Sequence, residues 1–149
     1  LLEEGLEVLT RLWFGEKVTY RGTYYTLEGV THTPPPVQKP HIAVWIGGES
    51  RPALRRAARW DGWIIGTVNE KCEVCKTPAQ LAEQVAYIRQ HRTSDVPFEV
   101  AINGISQPSD GALTREYEDA GATWWFEAMF GLRDTVEEML ARVKAGPPR

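Results

Sequence analysis

The chain has 149 residues, 42% of them hydrophobic and 25% charged, which is enough for one domain with a real core and ordinary for a globular protein. A net charge of −3 gives no electrostatic case for nucleic acid or an anionic membrane surface. No apolar run approaches the roughly 20 residues that span a bilayer, and the acidic start Leu1-Leu2-Glu3-Glu4 is no signal peptide. The first residues read as the inside of a helix with no initiator Met, so a fragment of a longer chain is expected. Two cysteines, Cys72 and Cys75, are too few for a secreted disulfide framework, and a cytoplasmic location is the default.

Leu2, Leu6, Leu9 and Trp13 recur at helical spacing, which predicts an amphipathic helix over residues 1–14 that Gly15 stops. Val18–Leu27 reads as a small hairpin closed near Glu28-Gly29. Thr33–Pro40 carries four prolines, which lack the N–H and fix φ, so it is a stiff extended connector.

A regular alternation follows. Ile42–Ile46 is a continuous apolar run, as a strand buried on both faces should be. Gly47-Gly48-Glu49-Ser50 turns into a helix over Pro52–Trp60 with Ala53, Leu54, Ala57 and Ala58 inward. Trp63-Ile64-Ile65 is a second strand. Thr77, Pro78 and Gln80 compose a capping box ahead of a helix whose stripe is Leu81, Val85 and Ile88. Phe98–Ile102 and Thr123–Phe126 are the third and fourth strands. Leu113, Tyr117 and Ala120 mark the helix between them, which Gly121 ends. Asp134–Glu137 caps a last helix with Val136, Met139, Leu140 and Val143 on one side. Alternation of this kind implies a parallel sheet with helical crossovers, open or part of a closed barrel. The expected organisation is one domain over residues 1–149: helix, hairpin and connector over 1–40, then four βα units over 41–149.

The loop Gly47-Gly48-Glu49-Ser50 lies between a buried strand and a helix start, where parallel α/β proteins bind anions. The glycines permit positive φ and close approach of backbone to a ligand, and first-turn N–H groups lack intrahelical acceptors. Ser50 can cap the helix or donate its hydroxyl to a phosphate, and Arg51 can supply a nearby cation. Glu49 would repel a phosphate if its side chain faced inward, so only its backbone amide is expected to take part. From spacing alone a plain tight turn with Ser50 as a helix cap explains the same residues. No Gly-Lys-Ser/Thr follows and the third glycine of the dinucleotide fingerprint is missing.

The residues Pro34–His41, Val44–Ser50, Ala53–Arg59 leading into Asp61-Gly62-Trp63-Ile64, and Tyr117–Trp125 together resemble the bacterial luciferase-like, flavin-dependent oxidoreductases. The resemblance runs over nearly the whole chain, and the proline-to-Gly-Gly block is its most specific part. It implies an α/β fold of the (β/α)8 TIM-barrel family, here the C-terminal half. It implies FMN or coenzyme F420 held by its phosphate at Gly47, Gly48, Glu49 and Ser50, and a small-molecule substrate. It also implies that the strand ends near Gly66-Thr67, Asn103-Gly104 and Glu127 face cofactor or substrate. The first four strands of the family are absent from this sequence, so no catalytic acid or base is carried over. The alternative is a catalytically inactive half-barrel that only self-associates; on either reading a homodimer or the missing half-barrel is the expected partner.

Cys72-Glu73-Val74-Cys75 has thioredoxin-like spacing, but two thiolates fill only half of a tetrahedral zinc site and no metal is expected. His32, His41 and His91 read as surface residues. Trp124 and Trp125 must point to opposite faces of their strand.

Overall fold

The computed structural model describes residues 1–130 and 133–149, divided into two compact units, Leu1–Ala43 and Val44–Arg149. In the first unit, helix α1 (Leu2–Trp13) precedes an antiparallel pair, β1 (Val18–Arg21) and β2 (Thr26–Val30). Gly15 adopts a φ of +78°, which turns the chain out of α1. The buried positions of α1 are Leu6 and Val8, while Leu2 and Leu9 are exposed, so the apolar face is narrower than the spacing predicts. The hairpin also differs from expectation. It closes at Gly22–Tyr25, where the Glu4 carboxylate accepts the N–H groups of both Tyr24 and Tyr25 at 2.9 Å. Glu28-Gly29 lies inside β2 instead, next to an irregularity in the register. His41 stacks on Trp13, with ring centroids 6.4 Å apart.

The second unit is a run of four βα units: β3 (Trp45–Gly47), α2 (Arg51–Ala57), β4 (Gly62–Gly66), α3 (Pro78–His91), β5 (Glu99–Gly104), α4 (Gly111–Asp119), β6 (Trp124–Glu127) and α5 (Val136–Ala145). The sheet order is β3-β4-β5-β6 and every pairing is parallel, with β3 and β6 as the edges. The first strand is shorter than the apolar run. Only Trp45–Gly47 joins the ladder, because Val44 instead gives its N–H to the Asp61 carboxylate at 2.8 Å.

Register fixes what each face carries, since successive side chains alternate. Ile46, Trp63, Ile65, Val100 and Ile102 share one face and are all buried. The helices supply its cover through Leu54 and Ala57 of α2, Leu81, Val85 and Ile88 of α3, and Tyr117 of α4, all buried as the helical spacing predicts. Trp125 belongs to this face and meets Tyr117 edge-on at 5.6 Å. The opposite face carries Trp45, Ile64, Ala101, Trp124 and Phe126. There Trp45 crosses the sheet over Gly62, whose missing side chain makes room for the indole, and reaches Trp124 at 5.9 Å and Phe126 at 6.2 Å. Trp124 and Phe126 remain 49% and 39% exposed, an uncovered aromatic surface.

The expected capping box forms, and a second one is present. Thr77 Oγ1 and Gln80 close the start of α3, and Thr135 with Glu138 closes the start of α5. The α5 stripe is not core: Val136, Leu140 and Val143 are exposed, and Arg142 is the buried residue of that helix. Among the described residues, no helix is long and apolar enough to cross a membrane.

Candidate functional site

The C-terminal ends of β3, β4 and β5 lie on one edge of the parallel sheet, and the loops there carry the candidate chemistry. The β3–α2 loop holds Gly47, Gly48, Glu49 and Ser50. Gly48 has a φ of +98°, and a side chain there would press on Ala53 Cβ at 3.2 Å. Its carbonyl oxygen accepts the indole N–H of Trp63 at 2.8 Å, and Trp63 is fully buried. Ser50 sits at the N-cap of α2 in extended backbone, and its hydroxyl oxygen accepts the Ala53 N–H at 3.4 Å. Among the described residues, the N–H groups of Glu49, Ser50 and Arg51 have no intramolecular acceptor, while Gly48 still borders the ladder through the Gly47–Ile64 pairing. Three consecutive donors without acceptors, on a loop where the Gly48 carbonyl is already bonded, are groups that an anion or water satisfies.

The side chains of the loop are spoken for. The Glu49 carboxylate turns to α3 and its approach, where Lys76 Nζ meets it at 2.6 Å and Gln84 Nε2 donates to it at 3.4 Å. Arg51 lies over the Tyr87 ring, 4.1 Å from its centroid, and Arg55 Nε donates to the Tyr87 hydroxyl at 2.8 Å. The sequence reading offered Arg51 as the loop's cation; the structure places that guanidinium on an aromatic face. Burial acts to raise the Tyr87 phenol pKa, but Arg55 and Arg51 together more than offset it and hold it below its ordinary value.

Beside the loop, Ile64, Gly66, Val68, Asn69, Asn103 and Phe130 line an open hollow of ≈ 580 Å³ at the ends of β4 and β5. Ile65 and Glu70 complete the lining, so an apolar floor is bordered by the amides of Asn69 and Asn103 and by one carboxylate. Asn69 is committed: its carbonyl oxygen accepts the N–H groups of Lys71 and Glu73, and its amide donates to the Glu73 carboxylate. Thr67 is buried and donates its hydroxyl to the Asn103 carbonyl at 2.9 Å, so it braces the strand ends and does not face the hollow.

Glu127 is turned away from the hollow, onto the helix-covered face. Its carboxylate is gripped by Arg133, Arg142, the Ser106 hydroxyl and the Trp125 indole. Burial would raise its pKa, but the Ser106 hydroxyl and amide, the Trp125 N–H and Arg133 together hold it below the ordinary carboxylate value. Arg142 also donates to the Ser106 carbonyl at 3.0 Å, which ties α5 to the loop after β5. The group is an ion-pair knot that fastens the C-terminal helix.

Cys72 and Cys75 carry free thiols, Cys72 half-buried and at a φ of 62°, Cys75 exposed. Among the described residues, no three His, Cys, Asp or Glu side chains come together to hold a metal ion. His91 closes α3, and its Nδ1 lies 2.8 Å from the Tyr87 carbonyl oxygen. Two features escaped the sequence reading, the Glu127–Arg133–Arg142 knot and the Lys76 contact with Glu49. The Lys76 contact and the links of Glu127 to Ser106 and Arg142 span 15 residues or more, and no local spacing announces them.

The profile of the luciferase-like monooxygenase family matches residues 1–145. An uncharacterized protein of Mycobacterium tuberculosis is 30% identical over 122 residues, 82% of this chain and 40% of that protein. The F420-dependent glucose-6-phosphate dehydrogenase of Microbacterium testaceum is 40% identical over 58 residues, 39% of this chain and 17% of its own length. The FMNH(2)-dependent dimethylsulfone monooxygenase of Pseudomonas putida is 33% identical over 67 residues, 45% of this chain and 18% of its own length. The crystal structure of the monooxygenase RslO1 from Streptomyces bottropensis superposes with a TM-score of 0.62 at 16% identity, covering 96% of this chain and 57% of that one, a likeness of fold. The chain thus spans about two fifths of the curated mycobacterial protein that it matches.

Proposed function

The chain belongs to the luciferase-like monooxygenase family, and from that footing we propose that it forms part of a flavin-dependent oxidoreductase and holds the cofactor's phosphate at Gly47, Gly48, Glu49 and Ser50. The observation that carries the proposal is the run of three backbone N–H groups, Glu49 to Arg51, that have no acceptor among the described residues. Such donors bind a phosphate strongly because the acceptor is ionised and the backbone is already arranged. The positive φ of Gly48 and the bond from Trp63 to its carbonyl keep that oxygen out of the anion's way.

The two named relatives, one F420-dependent and one FMNH(2)-dependent, support a flavin or a deazaflavin as the ligand. A cofactor of this class supplies hydride or oxygen chemistry when bound; the protein binds, orients and shields it. In that division of labour the loop fixes the phosphate, and Ile64, Val68 and Phe130 offer an apolar surface in the open hollow beside it. No residue of the described hollow is assigned as acid or base, and the substrate is a small molecule admitted with the cofactor in place.

Calorimetric titration of the chain with FMN and with F420 tests this reading. One of the two is expected to bind saturably, and Gly48→Val, which obstructs the loop, is expected to abolish that binding while the fold persists. Equal binding by the Gly48→Val protein would remove the loop from the site.

A further inference from the structure

A glutamate in the middle of an anion-binding loop is a contradiction that the fold has to resolve. Glu49 contributes a backbone N–H to the unbonded set, and its own charge opposes the ligand which that set attracts. The answer lies across the loop, in the segment between β4 and α3. Lys76 is a buried lysine, with a side chain only 8% exposed, and its Nζ lies 2.6 Å from Glu49 Oε2. Glu49 is itself about half exposed, so burial alone does not force the pair together.

The placement of Lys76 is built in from several sides. Its N–H reaches the Thr67 carbonyl at 3.3 Å, beside the 2.8 Å bond from the Cys75 N–H to the same oxygen. Its carbonyl oxygen accepts the Tyr117 hydroxyl at 2.7 Å, a buried bond from α4. The next residue, Thr77, is the N-cap of α3 and is locked by its capping box with Gln80. A lysine fixed at both ends of its peptide unit loses little further freedom when it directs its ammonium to Glu49. Burying an ammonium is costly without a partner, and Glu49 is the carboxylate that the structure gives Lys76.

We propose that Lys76 is a positioning residue of the cofactor-phosphate loop: it draws the Glu49 carboxylate toward α3 and cancels its charge, so that the loop's N–H donors face an anion without opposition. The proposal rests on the phosphate-loop reading above and deepens it. The chemical class served is a phosphate monoester or diester, and Lys76 acts on it through Glu49. The pair predicts a specific charge arithmetic. Losing Lys76 leaves the loop one negative charge richer; losing the Glu49 charge leaves it one positive charge richer; losing both restores the original balance.

The test uses inorganic phosphate titrated into the isotope-labelled full chain, with the backbone amide resonances of Gly48, Glu49, Ser50 and Arg51 as the readout. Wild-type amides are expected to shift saturably. Lys76→Met should weaken phosphate by about fivefold and Glu49→Gln should tighten it by a similar factor, as one unscreened charge near the site requires. The double variant should return near the wild-type affinity, and Lys76→Arg should retain most of it. A structural role for Lys76 alone would weaken binding in both Lys76→Met and the double variant, with no rescue. Should Lys76→Met fail to fold, Glu49→Gln still decides: unchanged or weaker phosphate binding overturns the proposal. If the wild-type amides do not respond to phosphate at all, the loop reading itself is wrong; if they respond but neither single variant changes the affinity, only the role of Lys76 fails.

Discussion

Trp63 Nε1 and the Gly48 carbonyl oxygen are 2.8 Å apart, so an indole buried on the helix-covered face of the sheet holds the one loop residue with a φ of +98°. The bond links the core to the candidate site. Trp63→Phe keeps most of the apolar volume and removes the donor, leaving a carbonyl without its partner. The expected cost is about 1–3 kcal/mol in denaturant unfolding, together with weaker phosphate binding. A Trp63→Phe protein with unchanged anion affinity would show that the loop holds its shape without this bond.

The two glycines of the loop are expected to behave differently. Gly48→Ala places a side chain at a strained φ and against Ala53 Cβ at 3.2 Å, which should cost about 1–3 kcal/mol and disturb the loop. Gly47 meets only the Ile64 carbonyl oxygen, at 3.9 Å, and its φ lies outside the left-handed range, so Gly47→Ala should fold with nearly wild-type stability. Thermal unfolding of the two variants checks the contrast, and equal destabilisation would contradict the loop geometry.

Much of this was legible in the chain, and the exceptions share a cause. The alternation of strands and helices could be read because the central strands are apolar throughout, as Trp63-Ile64-Ile65 is, and because Thr77 and Gln80 announce a helix start within four residues. What failed to show depends on partners distant in sequence. The hairpin closure was misplaced at Gly29 because the true turn is held by Glu4, 20 residues before Tyr24. The run from Ile42 overstated its strand because Val44 is taken by Asp61, 17 residues on. The α5 stripe looked like core because spacing shows amphipathicity without showing whether another element lies against it. Gly47-Gly48-Glu49-Ser50 was readable as the turn from β3 into α2 with Ser50 at the cap, but the contact of Lys76 with Glu49 was not.

The Glu127 knot makes a pH prediction. Its folded pKa is held below the ordinary value of 4.5, so its contribution to stability is fully present above that pH and is lost as pH falls through the lower folded value. Unfolding midpoints of the wild type should therefore drop below pH 4.5 more steeply than those of Glu127→Gln. At neutral pH, Glu127→Gln takes from Arg142 the carboxylate it pairs with and leaves Arg133 with Asp134, their side chains being 8% and 4% exposed, at a cost of about 3 kcal/mol. Parallel pH profiles for the two proteins would contradict the assignment.

The exposed aromatic face makes a prediction about assembly. Trp45, Trp124 and Phe126 form one uncovered patch, between the edge strands β3 and β6. Surfaces of this kind rarely stay in contact with water, and unpaired edges invite another chain. Prepared alone, the chain is expected to self-associate as a homodimer through this face, and Trp124→Glu should shift it toward monomer in sedimentation. A wild-type chain that stays monomeric at micromolar concentration would mean that the face needs no cover.

The central claim is that the Gly47–Ser50 loop takes the phosphate of a flavin-type cofactor, and the ligand pair FMN and riboflavin, which differ only in that phosphate, tests it most directly. Calorimetric dissociation constants for the two on the same preparation isolate the phosphate's share of binding. The account predicts FMN tighter by at least about tenfold, or ~1.4 kcal/mol, with the difference lost in Gly48→Val. Saturable binding of both flavins with equal affinity would contradict it.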